Sequence, residues 1–299
     1  MWFRNLQIFR LTDEWDFSSA ALGERLGRGA FRNCGATEMQ SLGWVPPRGE
    51  PGELVVAVAR QQLVALGVEQ KLLPGSVVRQ YTEERLVQIE ASQGYKPGRK
   101  QAAEMREQVT LELLPRAFVK RRLTYAWIDP VGRWLVIDAA SPAKGDEVVE
   151  RLKESLGTLP LHLVRTQLSP GAAMTGWLAE GQAPAGFSID RDCELRALTE
   201  ERATVRYARH VLDEDDVRHH IAAGKAATRL ALTWNDRISF VLTEQMQIKR
   251  LAFLELLKEE AGRRVEGGDD LFEANFTLMS GELGRLLPDL VAALGGEAQ

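Results

Sequence analysis

Cysteine is nearly absent from this chain of 299 residues. Cys34 and Cys193 are single and far apart, so there is no CxxC pair, no metal-ligand spacing and no disulfide framework. Two isolated thiols in a folded core suit a reducing compartment. Long apolar runs are absent as well, and no segment approaches the roughly eighteen residues of a membrane span. The first residues, MWFRNLQIFRL, lack the apolar stretch and small-residue cleavage site of a signal peptide. A cytoplasmic protein with no membrane partner is therefore expected, in which the sequon Asn275-Phe276-Thr277 carries no glycan.

Catalytic signatures are missing too. There is no GxGxxG, GxSxG or HExxH, no kinase set and no solenoid repeat. Gly224-Lys225 imitates the end of a phosphate-binding loop, but Ala226 replaces the required Ser or Thr. Gly224 reads better as a helix end. His219 and His220 are adjacent, and neighbouring helical residues diverge too far to chelate one ion. Asp213-Glu214-Asp215-Asp216 reads as acids complementing a helix dipole. The expectation is a protein that is not an enzyme and needs no cofactor and no metal.

What the chain does have is unevenly placed charge. Its net charge is -4 at pH 7, so no global positive field announces a nucleic-acid partner, and local clusters set the local potential. Residues 71–122 carry eleven Lys or Arg against six Glu, whereas residues 266–299 carry seven acids against one Arg.

Apolar periodicity and breaker residues divide the chain into elements. Strands are expected at Leu6–Leu11, Phe31–Gly35, a hairpin within Leu54–Leu66, Leu161–Arg165, Ala203–Val211, Gln247–Phe253 and Phe276–Met279. Two further hairpins are plain: Leu123–Ile128 with Arg133–Asp138 around a type I turn at Asp129–Gly132, and Arg229–Trp234 with Arg237–Leu242 around Asn235-Asp236. Gly43-Trp44-Val45-Pro46-Pro47 reads as a stiff connection. Helices are expected at Ser18–Leu26, Ser76–Ser92, Gln101–Leu114 before Pro115, Pro142–Leu156 behind a Ser141 cap, Asp190–Glu200, Asp213–Gly224 and Leu254–Gly262. A last helix starts at Ser280, with Leu283, Leu286, Leu287, Leu290, Val291 and Leu294 as its stripe.

The fold class this implies is α+β, with mixed or antiparallel sheets, flanking helices and a projecting helical subdomain. The expected division is a central domain from 1–70 and 123–168, the projecting subdomain at 71–122, and a C-terminal α+β domain at 169–299. Ser169–Phe187, rich in Gly, Ala and Pro, is the expected boundary.

The sharpest local feature is basic. Arg116, Lys120, Arg121 and Arg122 stand within seven residues, with Phe118 among them. Such cations bring charge and several donors to phosphate, and binding releases counterions. Their plain alternative is a solvated surface. Phe118 is a core anchor, a subunit contact, or a group that stacks or inserts. Arg206, Arg209 and His210 make a smaller group, for which a solvated strand face is the plain reading.

Several short motifs, in order and at matching spacing, resemble one family. They are Gly43-Trp44-Val45-Pro46-Pro47, Leu113-Leu114-Pro115-Arg116-Ala117-Phe118, Trp127-Ile128-Asp129 and Ser155-Leu156-Gly157-Thr158-Leu159-Pro160. The Ala223-Gly224-Lys225 turn, the Leu230–Phe240 hairpin, Leu278-Met279-Ser280-Gly281-Glu282-Leu283 and Ala293-Leu294-Gly295-Gly296-Glu297-Ala298 complete them. The chain resembles the RdgC family, the bacterial recombination-associated proteins. The resemblance implies an α+β protein assembling as a ring-shaped, head-to-head homodimer whose basic hole encircles double-stranded DNA without sequence preference. It implies a place at the nucleoid and restraint of the strand-exchange recombinase RecA. It places Arg116 and Phe118 in an interface and DNA-associated segment, and Arg209 and His210 near the hole. His210 stands where the family is expected to have an amide. Lys120, Arg121 and Arg122 add more charge than the family pattern requires. The rival reading is a protein-interaction module acting on the recombinase directly, with DNA binding secondary.

Overall fold

The structure is a computed structural model and describes residues 1–210, 212, 214–255 and 268–298. Twelve strands build one sheet. In chain order they are β1 (Leu6–Leu11), β2 (Gln40–Val45), β3 (Val55–Val58), β4 (Gln61–Leu72), β5 (Phe118–Asp129) and β6 (Trp134–Asp138), then β7 (Leu161–Leu163), β8 (Phe187–Ala197), β9 (Thr204–Tyr207), β10 (Lys225–Trp234), β11 (Ile238–Thr243) and β12 (Ile248–Phe253). The described helices are α1 (Ser19–Gly27), α2 (Gly75–Gln93), α3 (Arg99–Leu113), α4 (Pro142–Leu156), α5 (Pro170–Glu180), α6 (Glu214–Ala222) and α7 (Gly268–Ala293).

The strand order is β2-β4-β5-β6-β1-β12-β11-β10-β8-β9, with β3 on β4 and β7 on β1. All pairings of these strands are antiparallel. β1 joins the halves: it pairs with β6 from Leu6↔Asp138 to Arg10↔Trp134, and meets β12 at Leu6↔Ile248.

Successive residues of a strand face opposite sides, and two apolar clusters use this. On one side α1 and α4 lay Leu22, Leu26, Val148, Val149, Leu152 and Leu156 over Val64, Leu66, Ala126, Ile128, Leu135 and Ile137. On the other, Phe276, Met279, Leu283, Leu286 and Leu290 of α7 reach both halves of the sheet, touching a core that holds Leu63, Trp127, Val136, Leu230, Leu232 and Phe240. Met174 and Leu178 of α5 join that second core. The cluster under α1 and α4 reaches no further along the chain than Leu161. In the β8–β12 half, that side of the sheet therefore carries no described helix.

α2 and α3 pack on each other and bury little, namely Val78, Thr82 and Val109. Ser169, at the start of the expected boundary stretch, caps α5 by accepting from the Ala172 N–H at 3.3 Å. The Asn235-Asp236 turn has left-handed φ values of 46° and 52°, as a two-residue type I′ hairpin turn needs.

Several expectations are corrected. Phe31–Gly35 is not a strand. The Phe31 N–H donates to the Trp44 carbonyl and the Trp44 N–H to the Gly29 carbonyl, both at 2.9 Å. That makes Gly43–Val45 part of β2 rather than a connector. The chain crosses so close that a Cβ on Gly43 would stand 2.3 Å from the Phe31 Cα. Asp190–Glu200 is not helical: residues 187–197 form β8, with Cys193 and Leu195 buried at a period of two. Glu194 and Arg196 favour helices by propensity, but the alternation wins. Phe276–Met279 is not a strand, since it lies in α7, where Phe276, Met279 and Leu283 repeat at helical spacing. The turn expected at Asp129–Gly132 lies in a four-residue hairpin loop, Pro130–Arg133, with Arg133 at φ 54°, a loop length most often built around a type I turn. From residue 256 on, the helix expected at Leu254–Gly262 lies outside the described residues, as do Val211 and the Asp213 cap.

Candidate nucleic-acid interface

The basic strip is a strand. β5 starts at Phe118 and pairs with β4 along its whole length, from Leu72↔Phe118 to Gln62↔Ile128. Only its last four residues pair with β6, so residues 118–125 have a β neighbour on one side alone. A buried lysine sets where the strip begins. Lys71 Nζ donates to the Leu114 carbonyl at 2.9 Å and the Ala36 carbonyl at 2.7 Å. This ties the 3-10 turn Leu114–Arg116 to the sheet.

The cations of the strip divide in two. Arg116 and Lys120 are exposed, and no hydrogen bond or ion pair joins either side chain to a described residue. Arg121 is engaged: Nε donates to Glu69 Oε2 at 2.5 Å and Nη2 to Asn33 Oδ1 at 2.8 Å. Its guanidinium lies 5.7 Å from the Phe31 ring centroid. Arg122 points to the other face, where it pairs with Glu147 of α4 and donates to Thr124 Oγ1 at 3.2 Å. Glu69 also accepts from the Cys34 N–H at 2.8 Å. That bond first, then the Arg121 guanidinium, holds its carboxyl below the usual range. Phe118 is 83% exposed, and Leu72 opposite it is 49% exposed. Phe118 is thus not a core anchor of this chain.

The second basic group lies at the far edge of the sheet. Arg206 is on β9 opposite Glu194, and Arg209 and His210 follow the strand end. Arg209 is exposed, with a left-handed φ of 54°, a conformation that costs a non-glycine residue about 1–3 kcal/mol. Asp192 holds it there, accepting the Arg209 N–H at 2.6 Å. The same carboxylate pairs with Arg250 at 3.0 Å. These bonds, the Arg209 N–H foremost, keep the Asp192 carboxyl below the usual range. The His210 ring lies 6.3 Å from that of Tyr207. One chain does not bring Arg116 and Lys120 together with Arg209 and His210, because six strands separate β5 from β9 in the sheet.

Sequence reasoning missed Glu69, Lys71, Asp192 and Arg250. Two charges inside the apolar run of β4 are a readable signal for buried ion pairing. In β12 the apolar residues Ile248, Leu251 and Phe253 break the period of two, which signals a bulge at Lys249-Arg250. Elsewhere, Gly224 ends α6 at φ 82°. His219 is exposed, and His220 Nδ1 lies 3.2 Å from Lys225 Nζ. Among the described residues, no three His, Cys, Asp or Glu are grouped to hold a metal ion.

The profile of the family described as "Putative exonuclease, RdgC" matches residues 1–297. The chain belongs to the RdgC family. It is 55% identical over 300 residues to the recombination-associated protein RdgC of Dechloromonas aromatica strain RCB, covering 99% of this chain and 98% of that one. Identity to the protein of that name from Janthinobacterium sp. strain Marseille is 53%, covering 100% and 99% of the two chains. For Herminiimonas arsenicoxydans it is 52%, covering 99% of each. RdgC membership thus connects the chain with recombination. The RdgC names diverge on chemistry, for the family description speaks of an exonuclease and the relatives' names of recombination alone. No helix among the described residues is long and apolar enough to cross a membrane.

Proposed function

We propose that the protein binds double-stranded DNA without sequence preference as a ring-shaped homodimer, and restrains RecA-mediated recombination by occupying the DNA. It acts without catalysis, in the cytoplasm at the nucleoid. The observation that carries this reading is the start of β5, where Arg116, Phe118 and Lys120 stand exposed together and neither cation has a described side-chain partner. Cations not held by internal acids meet phosphate without first losing an ion pair, and contacts to phosphate position a protein without reading sequence. The exposed Phe118 and Leu72 offer an apolar patch for a twofold mate. Basic groups far apart on one sheet suit an extended ligand, and a ring would put them on its inner wall with acids outside.

The test is a salt titration on several unrelated duplexes. Affinity is expected to be similar for all and to fall steeply with salt. An absence of binding at moderate salt would end this reading and leave the protein-interaction module as its successor. The family description favours a second reading, exonuclease activity. Prolonged incubation of duplex with Mg²⁺ or Mn²⁺ decides it: intact DNA supports the non-enzymatic reading, and cleavage that tracks the protein through purification overturns it.

A further inference from the structure

The side of the β8–β12 half that lacks a described helix is crossed by one ion pair. Arg250 and Asp192 belong to β12 and β8, with β11 and β10 between them. That is three strand spacings, about 14 Å on a flat sheet. Both residues sit where the ladder is irregular. Between Ser239↔Ala252 and Val241↔Lys249 the β11–β12 register shifts by one residue, and Arg250 lies in that interval. The β8–β10 register shifts between Leu230↔Cys193 and Leu232↔Ile189, and Asp192 lies in that interval. Bulges re-aim side chains and gather near functional sites.

Arg250 has φ 52° and Arg209 has φ 54°. Two arginines, one in β12 and one just beyond the end of β9, are thus held in a left-handed conformation, and one carboxylate binds both. Asp192 Oδ1 takes the Arg209 backbone N–H and Oδ2 takes the Arg250 guanidinium. Arg206 is close enough to add its field to that carboxylate. The Arg250 side chain remains 59% exposed while that of Asp192 is 22% exposed. A guanidinium has five N–H donors, so Arg250 keeps donors for a second anion. The neighbouring acids of this face are already engaged, Asp190 by Thr233 and Glu194 by Thr228 and Arg196.

We propose that Asp192 organises Arg209 and Arg250 into a phosphate-binding cluster on this face, which carries no described helix, and that its ligand is the phosphodiester backbone of duplex DNA. Asp192 is a positioning residue and Arg250 a direct contact. The inference rests on the DNA-binding reading above and extends it from the strand end at Arg209 to the face of the sheet.

Duplex affinity against salt is measured for the native protein, Arg250→Ala, Asp192→Asn and Asp192→Ala, with urea unfolding as a folding control. Arg250→Ala is expected to weaken binding on every sequence and to lower the salt slope, by less than the loss of an unpaired cation, because Asp192 already offsets part of its charge. The two Asp192 variants remove the same charge, and they separate field from geometry. Asp192→Asn keeps an oxygen for the Arg209 N–H and removes a negative charge beside the phosphates, so it binds more tightly. Asp192→Ala frees Arg209 and binds more weakly. Tighter binding by both variants would reduce Asp192 to a repulsive charge, and no change in either would make it structural; both results overturn the proposal. Should Asp192→Ala not fold, Arg250→Ala decides, an unchanged slope being fatal. Arg116→Ala separates the two levels. If the native protein binds and Arg116→Ala flattens the slope while Arg250→Ala does not, the cluster fails alone. If the native protein binds no duplex, the functional reading fails with it.

Discussion

The two halves of the sheet solve the same packing problem differently. In the β1–β6 half, helices cover both sides, and β4 is buried without interruption from Gln62 to Glu69. In the β8–β12 half, described helices cover one side only. There β8 buries Cys193 and Leu195 and turns Asp190, Asp192 and Glu194 the other way. A strand sandwiched on both faces reads as an apolar run, while one covered on a single face alternates. One half is built as a core. The other doubles as a platform, with polar and charged side chains free to be used. In the first half, the exposed cations Arg116, Lys120 and Arg121 stand where β5 runs out past β6.

The strongest way to break this contrast is to hollow out the sandwiched half. Trp127 is fully buried, and its Nε1 donates to Gln61 Oε1 at 2.7 Å. Trp127→Ala is expected to cost about 3–5 kcal/mol in urea unfolding. Next comes the strut between α7 and the β10–β11 hairpin. Glu282 is buried and accepts two bonds from Arg237, at 3.1 and 2.8 Å. Glu282→Gln should cost about 1.5–3 kcal/mol, the range for hydrogen bonds to a charged group. If these two changes cost less than surface substitutions, α7 is not the brace described.

The cations sharpen the comparison. Arg116→Ala and Lys120→Ala should each lower the salt slope of duplex binding by about one. Arg121→Ala and Arg122→Ala should lower it less, because Glu69 and Glu147 already hold those side chains. Equal slopes for all four would erase the distinction between paired and unpaired cations. Phe118→Ala is read by sedimentation, where loss of the dimer supports its place at a subunit contact and an intact dimer with normal binding removes it.

A smaller effect is expected from pH. Glu38 has its carboxyl pulled from 4.5 to about 2, first by its hydrogen bond with Arg32 and then by the Gly35 N–H. A depressed carboxylate stabilises the fold above its unfolded value, and that contribution disappears as pH falls through the folded value. Glu38→Gln should therefore flatten the pH dependence of stability between about 4.5 and 2 and leave it unaltered near neutrality. The smallest change is expected on the platform itself. Ser239→Ala, on the side of β11 that carries no described helix, should shift stability by less than about 0.5 kcal/mol.

Much of this architecture was legible because periodicity reports how many faces are covered. Leu230, Leu232 and Trp234 against Ile238, Phe240 and Leu242 fixed a hairpin that the structure contains. The errors have a common origin. Asp190–Glu200 reads as a helix because Glu and Arg carry helical propensity, and the register shifts of β8 blur the alternation. The Phe276–Met279 stretch reads as a strand because Phe and Thr favour strands locally, and only the long spacing onward to Leu283 shows the helix. For the site, the residue types of Arg116, Phe118 and Lys120 could be read, but not their exposure. That Arg121 and Arg122 are paired could not be read either, since Glu69 and Glu147 are distant in sequence and meet them only through the fold. Asp192 was invisible for the same reason.

The place of β1 has a consequence for synthesis. The first strand of the chain lies inside the sheet, and its partner at Leu6 is Ile248. At about 5–20 residues per second, the ribosome needs on the order of ten to fifty seconds to make the intervening chain. β6 covers one edge of β1 early, and β7 shields Phe9–Leu11 on the other. The Leu6–Ile8 edge alone must wait. Unpaired strand edges invite other chains, so that short edge is where a half-made molecule is most open to the wrong neighbour.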